Sequence, residues 1–475
     1  MTETLTPDIC VIGAGSGGLT VAAAAASFGV EVVLIEKGKM GGDCLNYGCV
    51  PSKAILAAGK HAHAIEESAR FGVFAGKPKV EFRKVNQHIK SAIAAIAPND
   101  SVERFTALGV KVIEAPGRFT DPRTIEAGEY TIKARRFVVA TGSSAFVPPI
   151  PGLDAVDYFT NETLFDNTRR PGHLIVIGGG PIGMEMAQAH LRLGSKVTVI
   201  EGLKALGKDD PELSAIVLEK LRGEGLEIVE EAMVSRVARR GKNGVRVHYK
   251  LDGKEGSVDG TDLLIATGRA VNVEGLGLEE AGIRHDRKGI EVKADLRTSN
   301  RRVYAIGDVA GGLQFTHVAG YHAGLVIRGI LFRLTAKPDN RIIPWATYTD
   351  PELANVGLTE EEARKQYKDI HVLRWPYHEN DRAIAEGKTA GMIKMITDRK
   401  GRILGVGIAG TGAGEMINMW ALAISQKMKV KDVAGYIPPY PTMAEIGKRA
   451  AITYFAPMTR KPFVRSLIGF LRKFG

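Results

Sequence analysis

The chain repeats one supersecondary unit at a spacing of 165 residues, and this repeat constrains its fold more than any other feature. Asp8 to Glu36 reads as strand, glycine turn, helix and strand: Ile9, Val11 and Ile12, then Gly13-Ala14-Gly15-Ser16-Gly17-Gly18, an alanine-rich stretch, and Val32 to Glu36. His173 to Glu201 repeats the plan with Leu174 to Ile177, Gly178-Gly179-Gly180-Pro181-Ile182-Gly183, a helical stretch, and Val197 to Glu201. In such a unit Gly13 and Gly178 permit the tight turn. Gly15 and Gly180 let the backbone approach a pyrophosphate, and Gly18 and Gly183 let helix pack close to strand. The helix N-terminus then offers free N–H groups and partial positive charge to the phosphates. Glu36 and Glu201 close the second strand, where a carboxylate accepts hydrogen bonds from ribose hydroxyls. A carboxylate there repels a 2′-phosphate, so Glu201 points to NAD(H) over NADP(H), with Lys204 three residues on weighing the other way.

A second echo supports the repeat. Val138-Val139-Ala140-Thr141-Gly142 and Leu264-Ile265-Ala266-Thr267-Gly268 are short apolar strands ending in Ala-Thr-Gly, each following its own glycine loop. Two nucleotide-binding α/β domains are expected, joined by the stiff Pro148-Pro149-Ile150-Pro151-Gly152. From Ile342 onward no glycine fingerprint occurs, and mixed strands and helices suggest a third, α+β domain. A length of 475 residues, at roughly 100–200 per domain, fits that count.

Composition narrows the class. A 44% hydrophobic content excludes wholesale disorder. No clean apolar run of about 18 residues offers a spanning helix. Thr2-Glu3-Thr4 does not open a secretory signal. Three cysteines exclude a disulfide-stapled secreted scaffold, so a soluble cytoplasmic protein is expected. The net charge of +11 bears on partners, and part of it sits in Arg460, Lys461, Arg465, Arg472 and Lys473. Neither a zinc-finger spacing nor an aromatic-plus-basic ribonucleoprotein motif accompanies it, so nucleic acid is not an expected partner.

Cys44-Leu45-Asn46-Tyr47-Gly48-Cys49-Val50-Pro51-Ser52-Lys53 holds two of the three cysteines. Five residues of ideal helix rise about 7.5 Å, whereas a disulfide wants Cα atoms within about 7 Å. A bridge here needs a break in the helix, which Gly48 and Pro51 would allow. Cytosolic disulfides are more often redox-active than structural. Zinc would need two further ligands at useful spacing. On spacing alone, a redox pair and two unrelated buried thiols both stay open. Cys10 reads as core. His61 and His63, two apart on a helical pattern, face different ways, and no resident metal is expected.

Gly41-Gly42-Asp43-Cys44 through Lys53 resembles the redox-disulfide signature of the class I pyridine nucleotide–disulfide oxidoreductases, the family of dihydrolipoamide dehydrogenase, glutathione reductase and mercuric reductase. Ala140-Thr141-Gly142, Ile306-Gly307-Asp308, Thr349-Asp350-Pro351-Glu352 and Pro441-Thr442 through Glu445 extend the match over nearly the whole chain. The resemblance implies an α/β fold: two Rossmann-like domains, for FAD and NAD, plus a C-terminal α+β dimerisation domain. It puts FAD on 1–150 and 271–341, NAD(P) on 151–270, dimerisation on 342–458 and a basic amphipathic tail on 459–475. It implies a homodimer in which Tyr440 and Glu445 reach the partner's Cys44.

The resemblance also assigns roles. Gly13, Gly15, Gly18 and Glu36 would hold FAD, Asp308 its ribitol chain, and Gly178, Gly180, Gly183 and Glu201 the nicotinamide nucleotide. Thr141, Gly142 and Gly268 would join the nucleotide-binding positions. Cys49 would lie against the flavin and Cys44 would meet the substrate. Lys53 would sit at the flavin edge, paired with Glu185. A cation there stabilises both the reduced flavin and the Cys49 thiolate. Without the resemblance, Glu185 reads equally as a solvated helix carboxylate.

The C-terminal signature departs from part of the family. Dihydrolipoamide dehydrogenase and glutathione reductase carry His-Pro-Thr with a glutamate five residues after the histidine; here Tyr440-Pro441-Thr442 precedes Glu445. A phenol near pKa 10 does not replace an imidazole near 6.5 as a base at neutral pH. Mercuric reductases resemble this chain in carrying a tyrosine there, and a thiophilic metal ion needs soft thiolates more than proton relay. Their C-terminal cysteine pair has no counterpart, since no cysteine follows Cys49. The expected acceptor is a disulfide-like molecule or a thiophilic metal ion. The alternatives are a dihydrolipoamide dehydrogenase that works despite Tyr440, and an electron carrier docked on a membrane or complex. Tyr440 also reads as a buried interface aromatic. Phe463, Val464, Leu467, Ile468, Leu471 and Phe474 fall near helical spacing among basic residues. Such a helix packs on its own dimer or lies on the inner membrane surface.

Overall fold

The computed structural model describes residues 3–242, 244–334 and 337–474. The chain divides into two compact units, one drawn from 1–178, 189–200 and 232–338, the other from 179–188, 201–231 and 339–475.

The first unit is built on a five-stranded parallel sheet in the order Val303–Ala305, Arg136–Val139, Ile9–Ile12, Val32–Glu36 and Val110–Glu114. Its strands are continuous apolar runs because both faces are covered. Cys10, Ile12, Val33 and Ile35 enter a core with Phe119 and Phe137, while Ile9, Val11, Val32 and Leu34 enter another with Leu19 and Val326. That alternation is the two-residue period of a strand, and each fully buried aliphatic side chain contributes about 1.5–3 kcal/mol. The alanine-rich stretch is the helix Ser16–Ser27, whose small residues admit the helix Thr316–Phe332 closely. A Cβ on Gly17 would lie 3.3 Å from that of Ala319.

A second parallel sheet sets His173–Ile177 between Lys196–Ile200 and Asp262–Ile265, with Ile175 opposite both Thr198 and Leu263. The unit also carries an antiparallel meander, Met233–Arg240, Gly244–Leu251 and Lys254–Gly260.

The second unit has a five-stranded antiparallel sheet in the order Trp345–Thr347, Glu352–Gly357, Ile403–Gly410, Met392–Asp398 and Ile370–Pro376. Helices Ala413–Ser425 and Glu445–Thr453 contribute Ile417, Trp420 and Ile446 to its core. Gly447 makes room for the indole, since a Cβ there would sit 2.4 Å from Trp420 Cζ2. A buried Lys394 ammonium reaches Asp210 at 2.8 Å, Glu212 at 2.9 Å and Glu360 at 2.8 Å. The tail forms the helix Pro462–Leu471 and a final turn Arg472–Phe474. Among the described residues, no helix is long and apolar enough to cross a membrane.

Candidate active site

Both glycine loops are built alike. The Gly13 N–H donates to the Ile35 carbonyl at 2.8 Å and the Gly178 N–H to that of Ile200 at 2.9 Å. Both glycines have positive φ, +102° and +112°, and a Cβ on either would strike the carbonyl oxygen of Ala140 or Ala266 at 2.5 and 2.3 Å. Glu36 accepts from the Ala14 and Gly38 N–H groups at 2.6 and 2.7 Å. Glu201 accepts from those of Gly179 and Leu203 at 2.6 and 2.8 Å. Each acid therefore shapes its own loop as well as closing its strand. A Cβ on Gly18 would lie 1.9 Å from the Gly13 oxygen, so that glycine serves helix–strand packing. A Cβ on Gly15 would meet only the Gly42 Cα, at 4.0 Å, and one on Gly180 nothing within 4 Å. Both loops thus present bare, open backbone at helix N-termini, a cradle that fits a dinucleotide pyrophosphate.

The two Ala-Thr-Gly turns are zipped together. Strands Ser143–Ala145 and Arg269–Val271, which follow Gly142 and Gly268, pair antiparallel. Thr141 donates its hydroxyl to the Asn272 carbonyl at 2.7 Å.

The cysteine segment breaks where its glycine allows. One short helix, Gly42–Asn46, carries Cys44, and a long one, Cys49–Glu67, begins at the second cysteine. Gly48 caps the long helix, and a Cβ on it would lie 2.7 Å from an Asp43 carboxylate oxygen. Pro51 sits in the first turn, where a missing N–H costs nothing. This segment is tied to the first glycine loop: the Gly41 N–H donates to the Ala14 carbonyl at 2.9 Å. A Cβ on Gly42 would come within 2.7 Å of the Gly15 Cα.

The two thiols are free and unequal. Cys44, partly buried, hydrogen-bonds to Cys49, which raises the Cys44 pKa and lowers that of Cys49 to about 6. Thr316 Oγ1, 3.2 Å from the Cys49 sulfur, and the Lys53 charge also favour the thiolate, while burial and Asp43 oppose it. The position of Cys49 at a helix N-terminus acts in the same direction. The pair therefore holds one proton on Cys44 and one negative charge on Cys49. Cys10 is fully buried in the core, as the sequence suggests.

Beside the pair lies a polar cluster in which Arg269, Ser143 and Asn161, which the motifs did not announce, join Asp43 and Asp308. Arg269 donates to the Ser143 hydroxyl and carbonyl at 2.7 and 2.6 Å and pairs with Asp43 at 3.2 Å. Ser143 donates to Asp308 at 2.5 Å. Burial raises the Asp308 pKa, against the pull of Ser143 and Arg269. Asn161 donates to Asp43 at 3.1 Å and to the Tyr47 carbonyl at 3.2 Å. Arg269 and Ser143 follow Gly268 and Gly142 directly, which is the signal that would have found them.

In the second unit, Glu185 is 4% exposed and accepts from the Tyr348 N–H at 2.9 Å. The reading of a solvated carboxylate is thereby corrected: its helix face packs inward. Lys204 is ion-paired with Glu231 at 3.0 Å. Tyr440 stands on the surface of the chain and donates its hydroxyl to Asp381 at 2.7 Å, which holds the phenol above its ordinary pKa. Glu445 begins the helix Glu445–Thr453.

Comparison with known proteins agrees with this architecture. Residues 7–323 match the pyridine nucleotide-disulphide oxidoreductase family, and residues 343–451 match its dimerisation domain. The chain is 34% identical to a mercuric reductase of Streptomyces lividans over 95% of this chain and 97% of that one. It is 35% identical to a dihydrolipoyl dehydrogenase of Staphylococcus aureus over 94% and 96%. A Cu(II) complex of the HOCl-induced flavoprotein disulfide reductase RclA from Escherichia coli superposes with a TM-score of 0.84 at 28% identity, covering 93% of this chain and 98% of that one. Fold, glycine cradles, dithiol segment and relatives agree: the chain belongs to the class I pyridine nucleotide–disulfide oxidoreductases, an FAD-dependent family of enzymes that use a pyridine nucleotide and carry a C-terminal dimerisation domain.

Proposed function

We propose that the chain is an NADH-dependent, mercuric reductase-like flavoenzyme that passes electrons through FAD to the Cys44–Cys49 pair and on to a thiophilic metal ion or a disulfide-like acceptor. The observation that carries this reading is the unequal thiol pair, on a segment hydrogen-bonded to the first glycine loop. FAD, bound in that loop, supplies two-electron chemistry between a hydride donor and a disulfide. Gly13, Gly15, Gly18 and Glu36 form its cradle, with Thr141, Gly142 and Asp308 along it. Gly178, Gly180, Gly183, Glu201 and Gly268 serve the nicotinamide nucleotide. The carboxylate of Glu201 disfavours a 2′-phosphate, and Lys204 is neutralised by Glu231, so NADH is the expected donor.

Lys53 steadies negative charge beside Cys49. Cys49 holds the thiolate, and Cys44, whose thiol keeps its proton until a partner arrives, is the exchange thiol. Joining the two sulfurs as a disulfide releases two electrons. Those electrons take a divalent soft ion to the metal, with the Cys44 proton passing to solvent, or, together with that proton, split an acceptor disulfide into a thiol and a thiolate. NADH restores the dithiol by giving up a hydride. In the homodimer, Tyr440 and Glu445 close over the partner's Cys44. The raised phenol pKa makes Tyr440 a hydrogen-bond donor rather than a base, which suits a metal acceptor better than lipoamide. The Cu(II)-bound RclA and the mercuric reductases among its relatives support the metal arm. The 35% identity to a dihydrolipoyl dehydrogenase keeps lipoamide as the second reading. A pair of thiols meant to cycle fits the reducing cytoplasm.

Titrating the holoenzyme with NADH in the absence of oxygen should produce a long-wavelength thiolate–flavin absorbance band that Cys49→Ser removes. Bleaching without the band would refute the dithiol relay. Turnover with mercuric ion, lipoamide, glutathione disulfide and quinones then names the acceptor, and a preference for quinones would sink both arms.

A further inference from the structure

The last 30 residues contain seven basic side chains and no acidic one after Glu445. Most of this charge lies beyond residue 451, where the match to the family's dimerisation domain ends. There the chain forms the ten-residue helix Pro462–Leu471, none of whose residues is buried. Phe463, Leu467, Ile468, Phe470 and Leu471 are 76, 43, 52, 56 and 55% exposed, and Phe474 in the following turn 73%. With Val464 they cover about 160° of the helix circumference, and Arg465 and Arg472 stand on the opposite side. Exposed apolar clusters of this kind mark a binding face.

We propose that this helix docks the enzyme on an anionic lipid surface, apolar face in the acyl boundary and arginines at the headgroups. Charge complementarity selects this occupant. A second copy of the tail would bring another unrelieved set of positive charges against the first, whereas an anionic leaflet attracts each of them. A strongly apolar face bordered by arginines is a feature of helices that lie in a membrane interface, and ten residues are too few to span one. The proposal concerns location only and does not depend on the electron acceptor.

The test is co-sedimentation of the FAD-loaded full chain with phosphatidylcholine vesicles and with phosphatidylcholine–phosphatidylglycerol vesicles. Three forms are compared: the full chain, a chain ending at Thr459, and R465Q/R472Q/K473Q. The full chain should pellet with anionic vesicles and much less with zwitterionic ones. Truncation should abolish pelleting while leaving NADH-driven turnover in solution unchanged. The triple variant should lose about fivefold in partitioning per charge, on the order of a hundredfold in all. Equal pelleting of full and truncated chains would overturn the proposal. So would equal binding to both vesicle types, or conversion of a dimer to a monomer on truncation without any vesicle dependence.

Discussion

At the scale of single residues, the proposed chemistry rests on how two sulfurs share one proton. Because Cys49 titrates near 6, its alkylation by iodoacetamide in the reduced enzyme should rise as pH is raised through about 6. Cys44 should react only at much higher pH. Thr316→Val removes a hydrogen bond to a charged sulfur, worth about 1.5–3 kcal/mol, and should move the Cys49 midpoint up by roughly one pH unit or more. An unchanged midpoint would show that the hydroxyl does not hold the thiolate. Tyr440→His offers the complementary change. A base near neutral pKa should raise lipoamide turnover, by up to about 10²-fold, with little effect on a metal acceptor. The cysteine segment and its break at Gly48 were legible in the sequence because they are local to one motif. Thr316 was not: it is 267 residues from Cys49, and nothing in its own neighbourhood marks it. Arg269 lies beside a motif, but its bond to Ser143 joins residues 126 apart.

Among the elements, the two glycine loops were readable to the residue, since a turn that no side chain can enter leaves only glycine. The structure divides their labour. Gly15→Ala projects a methyl into open cradle, so FAD content should fall while thermal stability of the apoprotein holds. Gly18→Ala drives a methyl into the Gly13 carbonyl and should cost about 1–3 kcal/mol of stability, seen as a lower Tm. The ion cluster of the second unit had no such signature, because the Asp210–Glu212 turn, Glu360 and Lys394 come from three separate segments. Removing its buried cation with Lys394→Met leaves the buried Asp210 carboxylate without its cation and should destabilise by about 3–5 kcal/mol. Arg374 and Lys394 hold the Glu212 carboxyl below its usual range, and Lys394 and Arg364 do the same for Glu360. Their stabilisation is full above the unfolded carboxylate pKa and is lost as pH falls through the depressed folded values. Acid unfolding followed by circular dichroism should therefore shift to higher pH in Lys394→Met.

For the whole molecule, the sequence announced two nucleotide folds and an α+β C-terminal region because each has its own hydrophobic period. The meander Met233–Gly260 escaped notice, its exposed, charge-rich strands offering only weak alternation. If the working site combines two protomers, C44S and Y440F homodimers are each impaired but complement one another. Random mixing should restore about a quarter of full turnover, because half the dimers are hybrids with one intact site. No recovery would place both residues in the same protomer's site.

The bond from Gly41 to Ala14, with bare Gly42 wedged on Gly15, has a consequence for how such an enzyme can change its task. The thiol segment and the first glycine loop behave as one casting, and neither can be re-aimed without the other. Diversification must then come from whatever closes over the sulfurs. On the proposed dimer site, exchanging the short Tyr440-to-Glu445 stretch, while leaving that casting untouched, is the economical route to a new oxidant.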